Sequence, residues 1–214
     1  MKIIEPSYEI LDPLDETAIL KKLESIARVC YRSEDRITED DSSARLLIKS
    51  IIKRGHEAML EHASISVRFI VDRGVSHELV RHRIASWAQE STRFCNYANG
   101  KFGSELTFIN PYFFNDKEHE YNAWKESMAT IERNYMDMIA RGVNPEEART
   151  ILPNSLKTSI VMTANIREWR KFFMLRADIS AHPQMRQITI PLLKEFSDNL
   201  PVLFMDIRQA LFPF

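Results

Sequence analysis

Apolar positions along the chain repeat with two periods, one near 3.6 residues and one of two, and the switches between them mark out its elements. Between residues 15 and 30, Ile19, Leu20, Leu23, Ile26, Ala27 and Cys30 form a helical stripe, which predicts a helix with Cys30 on its buried face. A second helix is predicted from the Asp-Ser cluster at 40–43, through Leu47, Ile48, Ile51 and Ile52, to a stop at Gly55. Ile65, Val67, Phe69 and Val71 then alternate with Ser64, Ser66 and Arg68, the period of a half-buried strand. A helix over 75–81 and a short strand over 106–109 follow. Residues 121–139 read as a long amphipathic helix with Trp124, Met128, Ile131, Tyr135 and Met138 on one side, ended by Gly142.

In the stretch NPEEARTILP, Asn144 is a cap, Pro145 the first helical position and Pro153 the terminator, so Arg149 falls near the end of a short helix. Residues 156–164 read as a strand, Asn165 as a cap, and 166–176 as a helix with Trp169, Phe172 and Phe173 inward. The tail from Pro183 reads as helix with a break near Pro191. The order α, α, β, α, β, α, α, β, α, α predicts a mixed α/β fold of the α+β kind, a single domain over residues 1–214 without repeat or linker.

Composition narrows the function. Hydrophobic residues at 44% and charged residues at 28% are ordinary globular values, and no apolar run is long enough for a bilayer. With no signal-peptide pattern and two cysteines, Cys30 and Cys95, outside any CxxC spacing, the expectation is a cytoplasmic protein in a reducing compartment, without a membrane partner. Cys95 could serve as a nucleophile near His82, but reads better as a packing thiol. The balance of 29 basic against 30 acidic residues argues against nucleic acid as a partner, because nonspecific affinity needs many phosphate contacts. Functional positive charge must therefore be local.

It is local in RHRIASWAQESTR, residues 81–93, where three arginines and His82 interleave with Ser86, Ser91, Thr92 and Trp87. One reading is a solvated helix end laced with Glu-Arg pairs. The other is an anion site, since guanidinium forks and hydroxyls together bind phosphate with direction. Arg167, Arg170, Lys171 and Arg176 form a second basic patch, and the two patches together suggest a multi-phosphate ligand or two separate ligands. The five glycines match neither a Rossmann fingerprint nor a P-loop. In HEAMLEH, His56 and His62 are six residues apart, about 240° round a helix, which does not suit a zinc pair, and no metal site is expected.

RHR followed after seven residues by Ser91 resembles the signature of the flavin-dependent thymidylate synthases. The stretches HEAMLEHASISVRF, ELVRHRIAS, STRF and ARTILPNSLKTSIVMTANIREWRKFFMLRAD, with their spacings, extend the resemblance over roughly residues 50 to 190. It implies a twisted, mostly antiparallel sheet flanked by helices, assembled as a homotetramer with flavin between subunits. It also implies FAD contacts at Arg81, His82 and Arg83, positions near the flavin at His56, Asn165 and Arg167, and contacts to the dUMP phosphate of the neighbouring site at Ser91 and Arg93, with Arg81 a nucleotide contact as well. Arg149 and Arg176 match arginines that hold dUMP.

The implied reaction is FAD-dependent reductive methylation of dUMP to dTMP, with methylenetetrahydrofolate as carbon donor and NADPH as reductant. The cofactors carry the hard chemistry, so no protein nucleophile is required. Arg176 is the expected activating cation at uracil N3 and O2, with a salt bridge to Asp178 as the alternative role, and Ser91 is the second catalytic candidate. Five positions depart from the common pattern. Ala88 replaces asparagine, Gln89 glutamate, Glu78 glutamine, Ala58 threonine and Lys171 asparagine. Gln89 and Glu78 remain candidates for the nucleotide, and Gln89, Ala58 and Lys171 for the flavin, with Glu78 restoring the acid lost at 89. The alternatives are UMP methylation, pyrimidine hydroxymethylation, or a noncatalytic nucleotide- or RNA-binding module.

Overall fold

The computed structural model describes residues 1–100 and 103–213. Its strands are β1 (Lys2–Ile4), β2 (Ser7–Ile10), β3 (Ser64–Asp72), β4 (Ala85–Gln89), β5 (Thr107–Ile109) and β6 (Lys157–Asn165). Its helices are α1 (Glu16–Val29), α2 (Ser42–Lys53), α3 (Arg73–Leu79), α4 (Glu118–Ala140), α5 (Pro145–Ala148), α6 (Ile166–Arg176), α7 (Pro183–Asn199) and α8 (Pro201–Leu211). The fold is mixed α and β with an antiparallel sheet, as expected. One sheet has the order β2-β3-β6-β4, while β1 and β5 form a small parallel pair in the register Lys2 to Thr107. Among the described residues no helix is long and apolar enough to cross a membrane.

The chain divides into two compact units, each assembled from separated segments. The first comprises Met1–Tyr8, Arg68–Arg81 and Trp87–Val161. Its core gathers Tyr97, Leu106, Phe108, Met128, Tyr135, Ala148 and Leu156, with Cys95 and Trp124 packed against them. Cys95 is thus a packing thiol. Gly142, at φ +87, ends α4 as read: its N–H meets the carbonyl of Ile139, and that of Val143 meets Met138, the paired bonds of a Schellman stop.

The second unit comprises Glu9–Val67, His82–Ser86 and Met162–Phe214. Trp169, Phe172 and Phe173 of α6 are fully buried with Phe196 and Phe204, and the rings meet mostly edge to face at centroid distances of 5.2–5.8 Å. Trp169 also donates its Nε1–H to the Ile65 carbonyl at 2.9 Å. Glu16 of α1 accepts from the Val202 N–H at 2.7 Å, placing a carboxylate at the N-terminus of α8, and it pairs with Arg45.

Four expectations need correction. Cys30 is exposed, because α1 stops at Val29 and the thiol belongs to the cap residue beyond the stripe. Pro191 does not break the tail: it lies exposed inside α7, whose buried Ile188, Leu192, Leu193 and Phe196 anchor the helix on both sides of it. The break comes at extended Leu200, just before Pro201 opens α8. α3 ends at Leu79, so residues 81–83 lie past the helix. Strands β1, β2 and β4 carry too few or too small apolar residues to have shown a period of two.

Trp169→Ala removes the largest buried side chain of the second unit and should cost about 3–5 kcal/mol. The check is the urea midpoint by circular dichroism, which should fall well below that of the parent.

Candidate functional site

α6 begins where Asn165 accepts from the Glu168 N–H at 2.8 Å, as its cap reading required. From that fixed start the helix sorts its charges by face. Arg167 and Lys171 are exposed, Glu168 and Arg170 are buried, and Arg176 occupies the last turn.

The buried charges have partners within the second unit. Arg170 donates to both carboxylate oxygens of Asp206, at 2.9 and 2.7 Å, to Glu57 at 3.1 Å, and to the Leu203 carbonyl. The reading of Arg170 as part of a ligand-binding patch is therefore corrected: its guanidinium is an internal clamp, as desolvation demands. Glu168 accepts at Oε1 from His82 Nδ1 at 3.0 Å, with both side chains buried, and its Oε2 lies 3.8 Å from Lys171. On the far side of the ring, Arg176 donates its Nε–H to His82 Nε2 at 3.1 Å. Phe172 meets the imidazole edge-on at 5.0 Å. Asp178, the alternative partner considered for Arg176, accepts instead from the N–H and hydroxyl of Ser180.

Two cavities in the second unit collect most of the residues expected near a flavin. One, of about 500 Å³, is lined by His56, Ala58 and Arg167 together with Arg28, Arg54 and Tyr31. The other, of about 420 Å³, is lined by Asn165, Arg167 and Lys171 with Glu57, Glu168 and Ile84. Glu57 and Arg167 line both. His56 is placed by the helix stop before it: Gly55, at φ +69, donates to Ile52, and the His56 N–H donates to Ile51. The volumes are those of ligand sites. Cations, amide and imidazole beside apolar walls fit a dinucleotide with a pyrophosphate. Arg83 is exposed, one residue past buried His82.

The first unit holds the remaining candidates. Ser91 Oγ accepts from the Arg93 N–H at 3.2 Å, so its oxygen shapes a turn and its proton is available to an acceptor. Arg93 pairs with Glu146 at 2.8 Å, both exposed, and Arg149 lies three residues beyond Glu146 at the end of α5. Gln89 donates from Nε2 to Ser76 Oγ at 2.9 Å and Thr158 Oγ1 at 3.2 Å, so its amide nitrogen is used within the unit. Glu78 is half-buried on α3, and Arg81 is exposed with its N–H on the Glu78 carbonyl. No group of three or more histidine, cysteine or carboxylate side chains suited to a metal occurs among the described residues.

Two residues emerge that the motifs did not single out. Glu90 accepts from Tyr97 OH at 2.9 Å and from Lys157 at 2.6 Å, tying down the residue before Ser91, and with burial it pushes the Tyr97 hydroxyl pKa up. Glu168 was concealed by its spacing from Asn165, which matches a capping box and would assign its carboxylate to the helix start.

The family model described as "Thymidylate synthase complementing protein" matches residues 14–202. A flavin-dependent thymidylate synthase of Pyrococcus furiosus is 38% identical over 168 residues, covering 77% of this chain and 66% of that protein. Its counterpart in Pyrococcus abyssi is 36% identical with the same coverage, so the chain spans 66% of the length of these two relatives. A third, from Corynebacterium aurimucosum, is 32% identical over 211 residues, covering 94% of this chain and 84% of that protein. The fold is similar to the crystal structure of a UMP/dUMP methylase PolB from Streptomyces cacaoi bound with 5-Br dUMP, with a TM-score of 0.78, 21% identity and 96% of each chain covered.

Burial holds the pKa of His82 below 6.5, and the positive Arg176 and Lys171 act in the same direction against the opposing Glu168. An unfolded histidine takes up a proton near pH 6.5 while the folded one resists it, so stability present above that pH is lost as pH falls towards the depressed value. The loss is at most about 1.4 kcal/mol per pH unit. Between about pH 7.5 and about pH 5.5, the parent should lose more stability in urea titrations than His82→Gln, in which this proton is absent.

Proposed function

The chain belongs to the flavin-dependent thymidylate synthase family, a family of methyltransferases, and from that membership we propose that it methylates dUMP to dTMP with a bound FAD. Methylenetetrahydrofolate donates the carbon and NADPH is the reductant, in the cytoplasm. The observation that carries this reading is that His56, Ala58, Asn165, Arg167 and Lys171, assigned to flavin by resemblance alone, line two cavities with shared walls. A bound flavin would supply the reducing electrons there. The 5-Br dUMP bound in the structurally similar methylase supports a uracil nucleotide as substrate.

The chain's own residues bind and orient. Arg167 and Lys171 would hold the pyrophosphate of a bound FAD, and Ser91, Arg93 and Arg149 would hold the nucleotide phosphate. Both Arg93 and Arg167 now rest on exposed carboxylates, Glu146 and Glu61. Exposed pairs are worth roughly 0–1 kcal/mol, so exchanging a carboxylate for a phosphate dianion costs little and gains a charge-assisted fork. Arg176 acts at the pyrimidine: a guanidinium beside N3 and O2 favours the electron-rich ring that attacks the one-carbon unit. Its backbone carbonyl is held by Thr189 Oγ1 at 2.7 Å, and its Nε by His82.

A homotetramer with sites between subunits fits the exposed Ile84, Met174, Leu175 and Ile179 flanking His82 and Arg176 in the chain, an apolar surface that assembly would cover. The test is mass spectrometry of the nucleotide after incubation with FAD, NADPH, methylenetetrahydrofolate and either dUMP or UMP. The reading predicts a yellow protein and a C5-methylated dUMP product. Methylation of UMP alone, a hydroxymethyl product, or colourless protein that binds nucleotide without turnover would overturn it. Arg176→Ala should keep fold and flavin while turnover falls about 10²–10³-fold, the scale seen when one preorganised donor is removed. Arg93→Ala should weaken dUMP binding by calorimetry by about 1.5–3 kcal/mol, on the order of 10- to 100-fold in Kd.

A further inference from the structure

Glu168 is a carboxylate buried in the second unit, and its hydrogen bond goes to a histidine rather than to an arginine. Its partner, His82, is as deeply buried and is bonded on both ring nitrogens, Nδ1 to Glu168 and Nε2 to Arg176. The chemistry of the three groups fixes where the imidazole proton sits. A guanidinium Nε–H can only donate, so His82 Nε2 must offer a lone pair. A neutral imidazole then carries its single proton on Nδ1, from which it donates to Glu168 Oε1.

We propose that Glu168 is a positioning residue for Arg176, acting through the tautomer of His82. The carboxylate selects the Nδ1–H form; that form presents Nε2 as an acceptor; and the acceptor fixes the Nε edge of the Arg176 guanidinium. With an apolar side chain at 168 the acceptor for Nδ1–H is lost. The alternative tautomer sets Nε2–H against the Nε–H of Arg176, donor against donor, and this hydrogen bond to the guanidinium is lost. Glu168 also lines the cavity of about 420 Å³ with Asn165, Arg167 and Lys171, so one carboxylate bears on the flavin side and on the uracil side. This inference rests on the assignment of Arg176 to the pyrimidine.

The experiment has two arms. In the first, long-range proton–nitrogen NMR correlations on the ring nitrogens of histidine-labelled flavoprotein report the tautomer, with His82 identified by its loss in His82→Gln. The parent should show Nδ1–H at His82; an Nε2–H form, or a charged ring at about pH 8, overturns the proposal. In the second, Glu168→Leu and Glu168→Gln are assayed at saturating flavin. Glu168→Leu should lower kcat on dUMP by about tenfold or more, within the roughly 10²-fold that an ångström of misplacement costs. Glu168→Gln, whose amide oxygen still accepts from Nδ1–H, should recover most of that loss. Equal kcat in the parent and both variants, or glutamine failing as badly as leucine in folded protein, overturns the proposal. The two readings fail separately: a parent that makes no methylated nucleotide sinks the functional assignment and with it the role of Glu168, while the wrong tautomer in an active parent sinks the positioning role alone.

Discussion

A charge taken out of water must find a partner of comparable strength, and in this protein that requirement falls mainly on α6. The helix drives Trp169, Phe172 and Phe173 into the second unit's core, which leaves Glu168 and Arg170 nowhere to go but inward. Arg170 is met by Asp206, Glu57 and the Leu203 carbonyl, a set drawn from far apart in the chain. Glu168 is met by His82. Packing and chemistry are coupled here: the rings that anchor α6 also deliver the carboxylate that orients a histidine, and the histidine holds the arginine proposed to activate the substrate.

A second consequence concerns the cations left on the surface. A chain with formal net charge −1 cannot attract phosphates by its overall field. Its exposed arginines at the candidate sites instead rest on single carboxylates, Arg93 on Glu146 and Arg167 on Glu61. Such pairs keep like charges from repelling one another without binding tightly enough to exclude a phosphate. The buried arginine, by contrast, is held by three partners. Exposure thus separates the guanidinium groups of one basic stretch, Arg167 and Arg170, into one suited to a ligand and one suited to structure.

How much of this could be read beforehand follows from the range of the interactions. Asn165, α6 and its three inward aromatic rings were legible, because a cap and a period of 3.6 are local. The Gly142 stop was legible for the same reason. Arg170 was misread as a ligand cation, since nothing near it in sequence reveals Asp206 thirty-six residues on. Glu168 was hidden by a spacing that fits a capping box. Cys30 was misplaced by one residue of helix length, and β4 was missed because ASWAQ alternates small and polar side chains with a single large ring. The family motifs reached the residues that line the two cavities of the second unit, but not the pairing of buried His82 with buried Glu168, because the two lie 86 residues apart in the chain.

The central proposal is that Arg176, bonded at Nε to His82, meets a pyrimidine, and that Arg93 and Arg149 hold a nucleotide phosphate. A crystal structure of the protein with FAD and dUMP tests it most directly. The account predicts the uracil O2 edge on the terminal nitrogens of Arg176, the Nε to His82 bond retained, and Glu146 displaced from Arg93 by a phosphate oxygen. A nucleotide bound away from Arg176, or an Arg93 still closed on Glu146 with dUMP in place, would contradict it.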